Sequence, residues 1–163
     1  MAAPHRTVGL DVGDRRIGVA ISDVTATLAR PLATIRIARG DAAAPVVSAA
    51  LQRLAAEEDG LAEIVVGLPL ALDGRATGQT ARVRAFADEL GRLTGRPIVF
   101  QDERLTSREA ESRLAREERD WRKRKARLDA AAAAVILQDY LDARGRDEGR
   151  GTRDEERGTR NEE

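Results

Sequence analysis

The nearly unbroken apolar run from Glu63 to Leu68, EIVVGL, constrains this chain more than any other segment. A run of that length without alternation is what a strand needs when both of its faces are covered. Helices are available to cover it. Asp41 to Glu58 follows a helical period, with Val47, Leu51 and Leu54 on one face and with Asp41 and Pro45 where a helix start is expected. Beyond Pro69 and a Gly- and Thr-rich loop from Asp73 to Thr80, a second amphipathic helix is predicted from Gln79 to Leu93, carrying Val83, Phe86, Leu90 and Leu93 on one side. Gly95 and Pro97 punctuate its end, and Pro97 to Asp102 reads as another strand.

Upstream, Thr7 to Gly13 (TVGLDVG) and Arg16 to Asp23 (RIGVAISD) are strand-like and joined by a tight turn at Gly13-Asp14-Arg15, with a third extended piece from Leu28 to Ile37. Thr106 opens a helix with Glu109 three residues on, and Leu128 to Ala143 reads as a last, Ala-rich helix. An opening meander followed by alternating helices and strands predicts an α/β fold, a mixed sheet with helices packed on it. Residues 1–144 form one domain in this reading. Residues 145–163 contain the polar repeat RDEGRGT, RDEERGT, RNEE, which has no apolar seam and is predicted to be a disordered tail.

Composition narrows the chemistry. There is no Cys, and the single His, His5, precedes the first strand. A disulfide framework, a thiolate or His zinc site, a Cys nucleophile and a Ser-His-Asp triad all lack their parts. Carboxylates, basic side chains, hydroxyls or backbone must act. The formal net charge is +0, but Arg104 to Arg127 holds 10 basic and 5 acidic residues. No apolar stretch is long enough to span a membrane and MAAPHR carries no hydrophobic signal region, so no membrane association and a cytoplasmic location are expected.

Three acids stand out. Asp11 sits inside an apolar strand, where an ionised carboxylate is costly unless something pairs with it; a divalent cation would do so. The same residue would also serve as a turn cap beside Gly13. Asp102 and Glu103 lie where a strand ends, the place where α/β sheets gather their active sites, and adjacent residues point to opposite faces. They would equally cap a helix entry. Asp129 opens the last helix on the face of Ala133, Ile136 and Tyr140, beside the small residues Ala130 to Ala134 that let a helix approach a sheet; an acid there also favours the helix dipole. Together the acids suit metal-assisted phosphodiester cleavage, since Mg²⁺ or Mn²⁺ takes oxygen ligands and needs no His. Lys123, Arg124, Lys125 and Arg127 immediately precede Asp129, and Arg104 follows Glu103; all are candidates for holding phosphates, although charge runs are often solvated loops. Trp121 is a candidate base-stacking or anchoring residue, but the chain has no aromatic platform for single-strand recognition.

Four ordered segments, GLDVGDRRIGVAISD, VVGLPLALDGRATGQTARVRAFADEL, DERLTSREAE and KRKARLDAAAAAVILQDYL, resemble the YqgF/RuvX family of RuvC-like pre-16S rRNA nucleases. The resemblance spans Thr7 to Asp142. It implies an RNase-H-like fold, a five-stranded mixed sheet flanked by helices with its second strand antiparallel to the others. It also implies processing of the 5′ end of 16S rRNA, with structured RNA and a ribosomal particle as partners and Mg²⁺ or Mn²⁺ as cofactor. The family's acids map to Asp11, to the DER motif with Glu103 chosen over Asp102, and to Asp129; Asp102 is left a supporting role. Three other readings stand beside it: a Holliday junction resolvase acting on DNA through the same carboxylates, a non-catalytic RNA-binding factor for ribosome assembly, and a nucleotide-binding ATPase related to the actin and sugar-kinase group, whose phosphate loop DVGDRRIGV resembles. The intact acid set disfavours the second. The third needs two such domains around a cleft.

Overall fold

A computed structural model describes residues 5–57, 60–103 and 121–158. Five strands, β1 (Arg6–Val12), β2 (Arg16–Ser22), β3 (Ala29–Arg36), β4 (Leu61–Leu68) and β5 (Ile98–Asp102), form one sheet in the order β3-β2-β1-β4-β5. β1 pairs parallel with β4, and β4 parallel with β5. β2 runs antiparallel to both β1 and β3, as the tight turn at residues 13–15 requires. Among the described residues the helices are α1 (Ala43–Glu57), α2 (Gly78–Thr94) and α3 (Trp121–Gly158). Thr77 caps α2, and Gly95 closes it in the left-handed conformation at φ 66°.

Strand alternation sorts the side chains into two cores. On one face Val8, Leu10, Ile17, Val19, Ile21, Ile64 and Val66 pack with Val47 and Leu51 of α1 and with Val83, Ala87 and Leu90 of α2. On the other, Ala20 and Val65 meet Ala133, Ile136, Leu137 and Leu141 of α3. The EIVVGL run is continuous because β4 contributes to both cores. The α3 face of the sheet is floored with small residues. A Cβ on Gly9 would lie 2.7 Å from that of Leu137, and one on Gly18 would run into the backbone carbonyl of Asp129. These glycines set how closely α3 sits.

α3 begins at Trp121 rather than at Leu128, and its helical backbone passes Ala143 into the polar repeat as far as Gly158. That backbone covers residues 145–158 of the segment read as a polar tail. No proline follows Pro97 to break the helix, and the Arg and Glu of the repeat favour it. The helix expected from Thr106 lies outside the described residues.

Candidate active site

Asp11 stands near the carboxyl end of β1, opposite Gly18 of β2. By alternation it shares the α3 face with Thr7 and Gly9. Glu103 is one step past β5, anchored by its N–H, which donates to the Leu68 carbonyl at 3.3 Å. It continues the parity of Val99 and Gln101 and so faces α3. Asp102 keeps the parity of Phe100 and is exposed. The sheet thus separates the two adjacent acids. Gly67 makes room beneath Glu103, since a Cβ there would be 2.5 Å from Oε2 of Glu103 and 2.6 Å from Cδ1 of Ile136. Asp129 rides on α3 directly over Gly18, the cross-strand neighbour of Asp11.

The electrostatics are those of crowded carboxylates. Burial, and then the charge of Asp129, push Asp11 up to about 6 from its ordinary 3.8, against the pull of a hydrogen bond to Glu103. Burial, the charge of Asp11, the hydrogen bond with Asp11 and the charge of Asp102 push Glu103 up to about 8. The hydrogen bond between them favours a proton on Glu103 and an anion on Asp11, so the pair holds a shared proton more tightly than two separate carboxyls would. Asp129 Oδ2 lies 3.2 Å from Nε of Arg16. Among the described residues, no three acids or histidines form a ready-made metal cage, because the Asp129 carboxylate is drawn to Arg16 while the other two hold each other. The donor chemistry nevertheless fits a hard divalent cation. All three side chains offer oxygens, and a doubly positive ion in place of the shared proton would relieve the repulsion that raises both pKa values.

Lys123, Arg124 and Lys125 fall in the first turns of α3, and Arg127, two residues before Asp129, is exposed. Arg104 lies outside the described residues. Sequence reasoning placed Gly67 in a loop able to line a site but missed its role beneath Glu103, and it missed Gly18, which sets the approach of α3, and Arg15, Arg16 and Arg36 as site residues. Arg16 pairs with Arg36 across β2 and β3, a proximity that depends on strand register.

A family profile described as RuvX, Holliday junction resolvase, matches residues 5–143. The chain belongs to the RuvX family. A RuvX relative from Anaeromyxobacter sp. strain Fw109-5, named as a candidate pre-16S rRNA nuclease, is 45% identical over 139 residues, which are 85% of this chain and 98% of that protein. Another so named, from Chloroflexus aggregans, is 47% identical over 137 residues, 84% of this chain and 93% of that one. Among solved structures, T. thermophilus RuvC in complex with Holliday junction substrate aligns with a TM-score of 0.50 at 17% identity, covering 86% of this RuvX chain and 95% of that one. The sheet order and this likeness make the fold RNase-H-like, as the sequence resemblance implied.

Proposed function

We propose that this RuvX chain is a metal-dependent endonuclease that hydrolyses phosphodiester bonds in structured RNA and processes the 5′ end of pre-16S rRNA. The observation that carries the reading is the half-buried, hydrogen-bonded pair Asp11–Glu103, with Asp129 beside it, at the carboxyl ends of β1 and β5. The names of its curated relatives support the substrate. Asp11, Glu103 and Asp129 would hold Mg²⁺ or Mn²⁺. Such an ion, when bound, lowers the pKa of water and offsets charge on the leaving oxygen.

The chain's own residues prepare that role. Glu103 releases its proton before it can ligate, so activity should need a pH at which the proton is readily displaced. Asp129 must exchange Arg16 for the cation. Arg104, Lys123, Arg124, Lys125 and Arg127 hold the phosphates of the substrate, and Asp102 supports Glu103 from the exposed side. The setting is the cytoplasm, on RNA of a ribosomal particle.

The test is cleavage of a precursor 16S rRNA fragment with Mg²⁺ or Mn²⁺, wild type against Asp11→Asn. Cutting that disappears in the variant supports the reading; cutting that persists at full rate sinks it. Resolution of a four-way DNA junction is the second reading, favoured by the description of the matching family. Cutting of the junction with no cutting of the RNA selects it.

A further inference from the structure

Beside the carboxylate cluster lies a second cavity, of about 650 Å³, at the turn end of β2 and β3. Gly13, Asp14, Arg15, Arg16, Arg36, Ile37 and Asp129 line it. Three arginines therefore share one cleft with Asp129, a member of the proposed metal site. Among the described residues, neither Arg15 nor Arg36 has a carboxylate partner. Asp14, the other acid of the cleft, is engaged by Arg82 of α2 at 3.5 Å. Two nearby backbone donors are spent, since Gly13 N–H bonds the Arg16 carbonyl at 2.9 Å and Ile37 N–H bonds the Arg15 carbonyl at 2.8 Å. Recognition in this cleft is left to guanidinium groups, whose forked donors match phosphate oxygens.

We propose that the cleft formed by Arg15, Arg16 and Arg36 binds a backbone phosphate of the nucleic acid strand next to the bond that is cut. The proposal rests on the nuclease reading and adds to it a site that shares Asp129 but is not lined by Asp11 or Glu103. Arg16 links the two. It neutralises Asp129 in this structure, and once Asp129 turns to a cation the Arg16 guanidinium needs another anion, which a phosphate supplies. Phosphate in the cleft and cation on the acids should therefore favour each other. Like-charged Arg16 and Arg36 held opposite each other on neighbouring strands are unfavourable without such an anion between them.

The experiment is equilibrium binding in EDTA, where no cleavage occurs, of a fluorescein-labelled RNA hairpin and of a labelled four-way DNA junction, each over a series of salt concentrations. The Arg15→Ala/Arg36→Ala double variant should bind roughly tenfold or more weakly, and its log Kobs against log[salt] should be shallower by about 1 for each arginine removed. Arg15→Lys/Arg36→Lys should keep most of the slope, which separates loss of charge from loss of fold. Weakening of both probes assigns the cleft to phosphates common to RNA and DNA, and weakening of the hairpin alone assigns it to RNA. An Ala variant with wild-type affinity and slope overturns the proposal, as does a Lys variant that loses as much slope as the Ala variant. If wild type binds with the expected slopes yet cuts neither probe when Mg²⁺ is supplied, the nuclease reading falls while the phosphate site stands. If wild type binds neither probe, both fall.

Discussion

Half-buried carboxylates occur at both ends of this sheet, and they are treated in opposite ways. Near the amino end of β4, Glu63 accepts hydrogen bonds from the Tyr140 hydroxyl and from Arg144, each at 2.7 Å. A donor and a cation meet one anion, and the contact ties α3 to β4. At the carboxyl end, Asp11 and Glu103 meet each other, with Asp129 close by, and both are pushed up in pKa by burial and like charge. Glu63, Asp11 and Glu103 lie on the same face of the same sheet under the same helix. A carboxylate given its counter-charge within the chain holds a fold together. Carboxylates turned toward each other, as Asp11 and Glu103 are, gain from a cation that comes from outside.

The largest effect that could break this contrast is on activity. Asp11→Asn should lower RNA cleavage on the order of 10³-fold or more, because several kcal/mol of charge stabilisation depend on the ion it holds. The same variant should melt no lower than wild type without metal at alkaline pH, since it removes repulsion. A lower melting temperature there would place Asp11 with Glu63 as a structural acid.

Gly67→Ala comes next. The added Cβ, 2.5 Å from Oε2 of Glu103, must displace that carboxylate or Ile136. Apparent Mg²⁺ affinity should weaken roughly tenfold or more, with about 1–3 kcal/mol of stability lost to overpacking. A Mg²⁺ titration of cleavage rate reads the first and denaturant unfolding the second.

The metal-free protein should also lose stability as pH rises. Asp11 and Glu103 are raised above their ordinary values of 3.8 and 4.5, so the folded state holds its protons longer than the unfolded state. Stability is then highest below about pH 4 as far as these two groups are concerned, and it declines as pH passes through about 6 and about 8. Mg²⁺ or Mn²⁺ should raise the melting temperature more at about pH 9 than at about pH 5, because protons no longer compete with the ion. Calorimetric scans at the two pH values check this, and equal metal effects would contradict it.

At the other end of the sheet the signs reverse. Tyr140→Phe or Glu63→Gln should cost about 1 kcal/mol of stability, the usual loss from a deleted hydrogen bond, while cleavage stays within about twofold of wild type. A large loss of cleavage would join the two ends functionally. The smallest effect belongs to Asp102→Asn. Asp102 is exposed and is the last of the influences that raise Glu103, so the pH profile should shift slightly to lower pH with little change in maximal rate.

Much of this was legible in the residues. The strands around TVGLDVG, RIGVAISD, EIVVGL and PIVFQD follow from apolar runs and turn residues, and Asp11 is conspicuous because an acid inside such a run is costly. The choice of Glu103 over Asp102 rested on resemblance, although the parity of Phe100 in the apolar core points the same way once the strand's covered face is known. The end of α3 was not legible, because a polar repeat has no packing signal to say where helical backbone stops. Nor were Gly18 and Gly67, whose small size matters only for what lies above them.

The sequence by itself determined the α/β alternation and, through the absence of Cys and the lone His5, that any chemistry here belongs to carboxylates, basic side chains, hydroxyls or backbone. The tertiary structure alone decided which of these groups meet. Asp11, Glu103 and Asp129 are neighbours, Arg16 reaches Asp129, and Arg15 and Arg36 share its cleft only because strand order, register and the seating of α3 on glycine bring distant segments together. Local propensity acts over a few residues, whereas proximity across a sheet is set by the packing of every element at once.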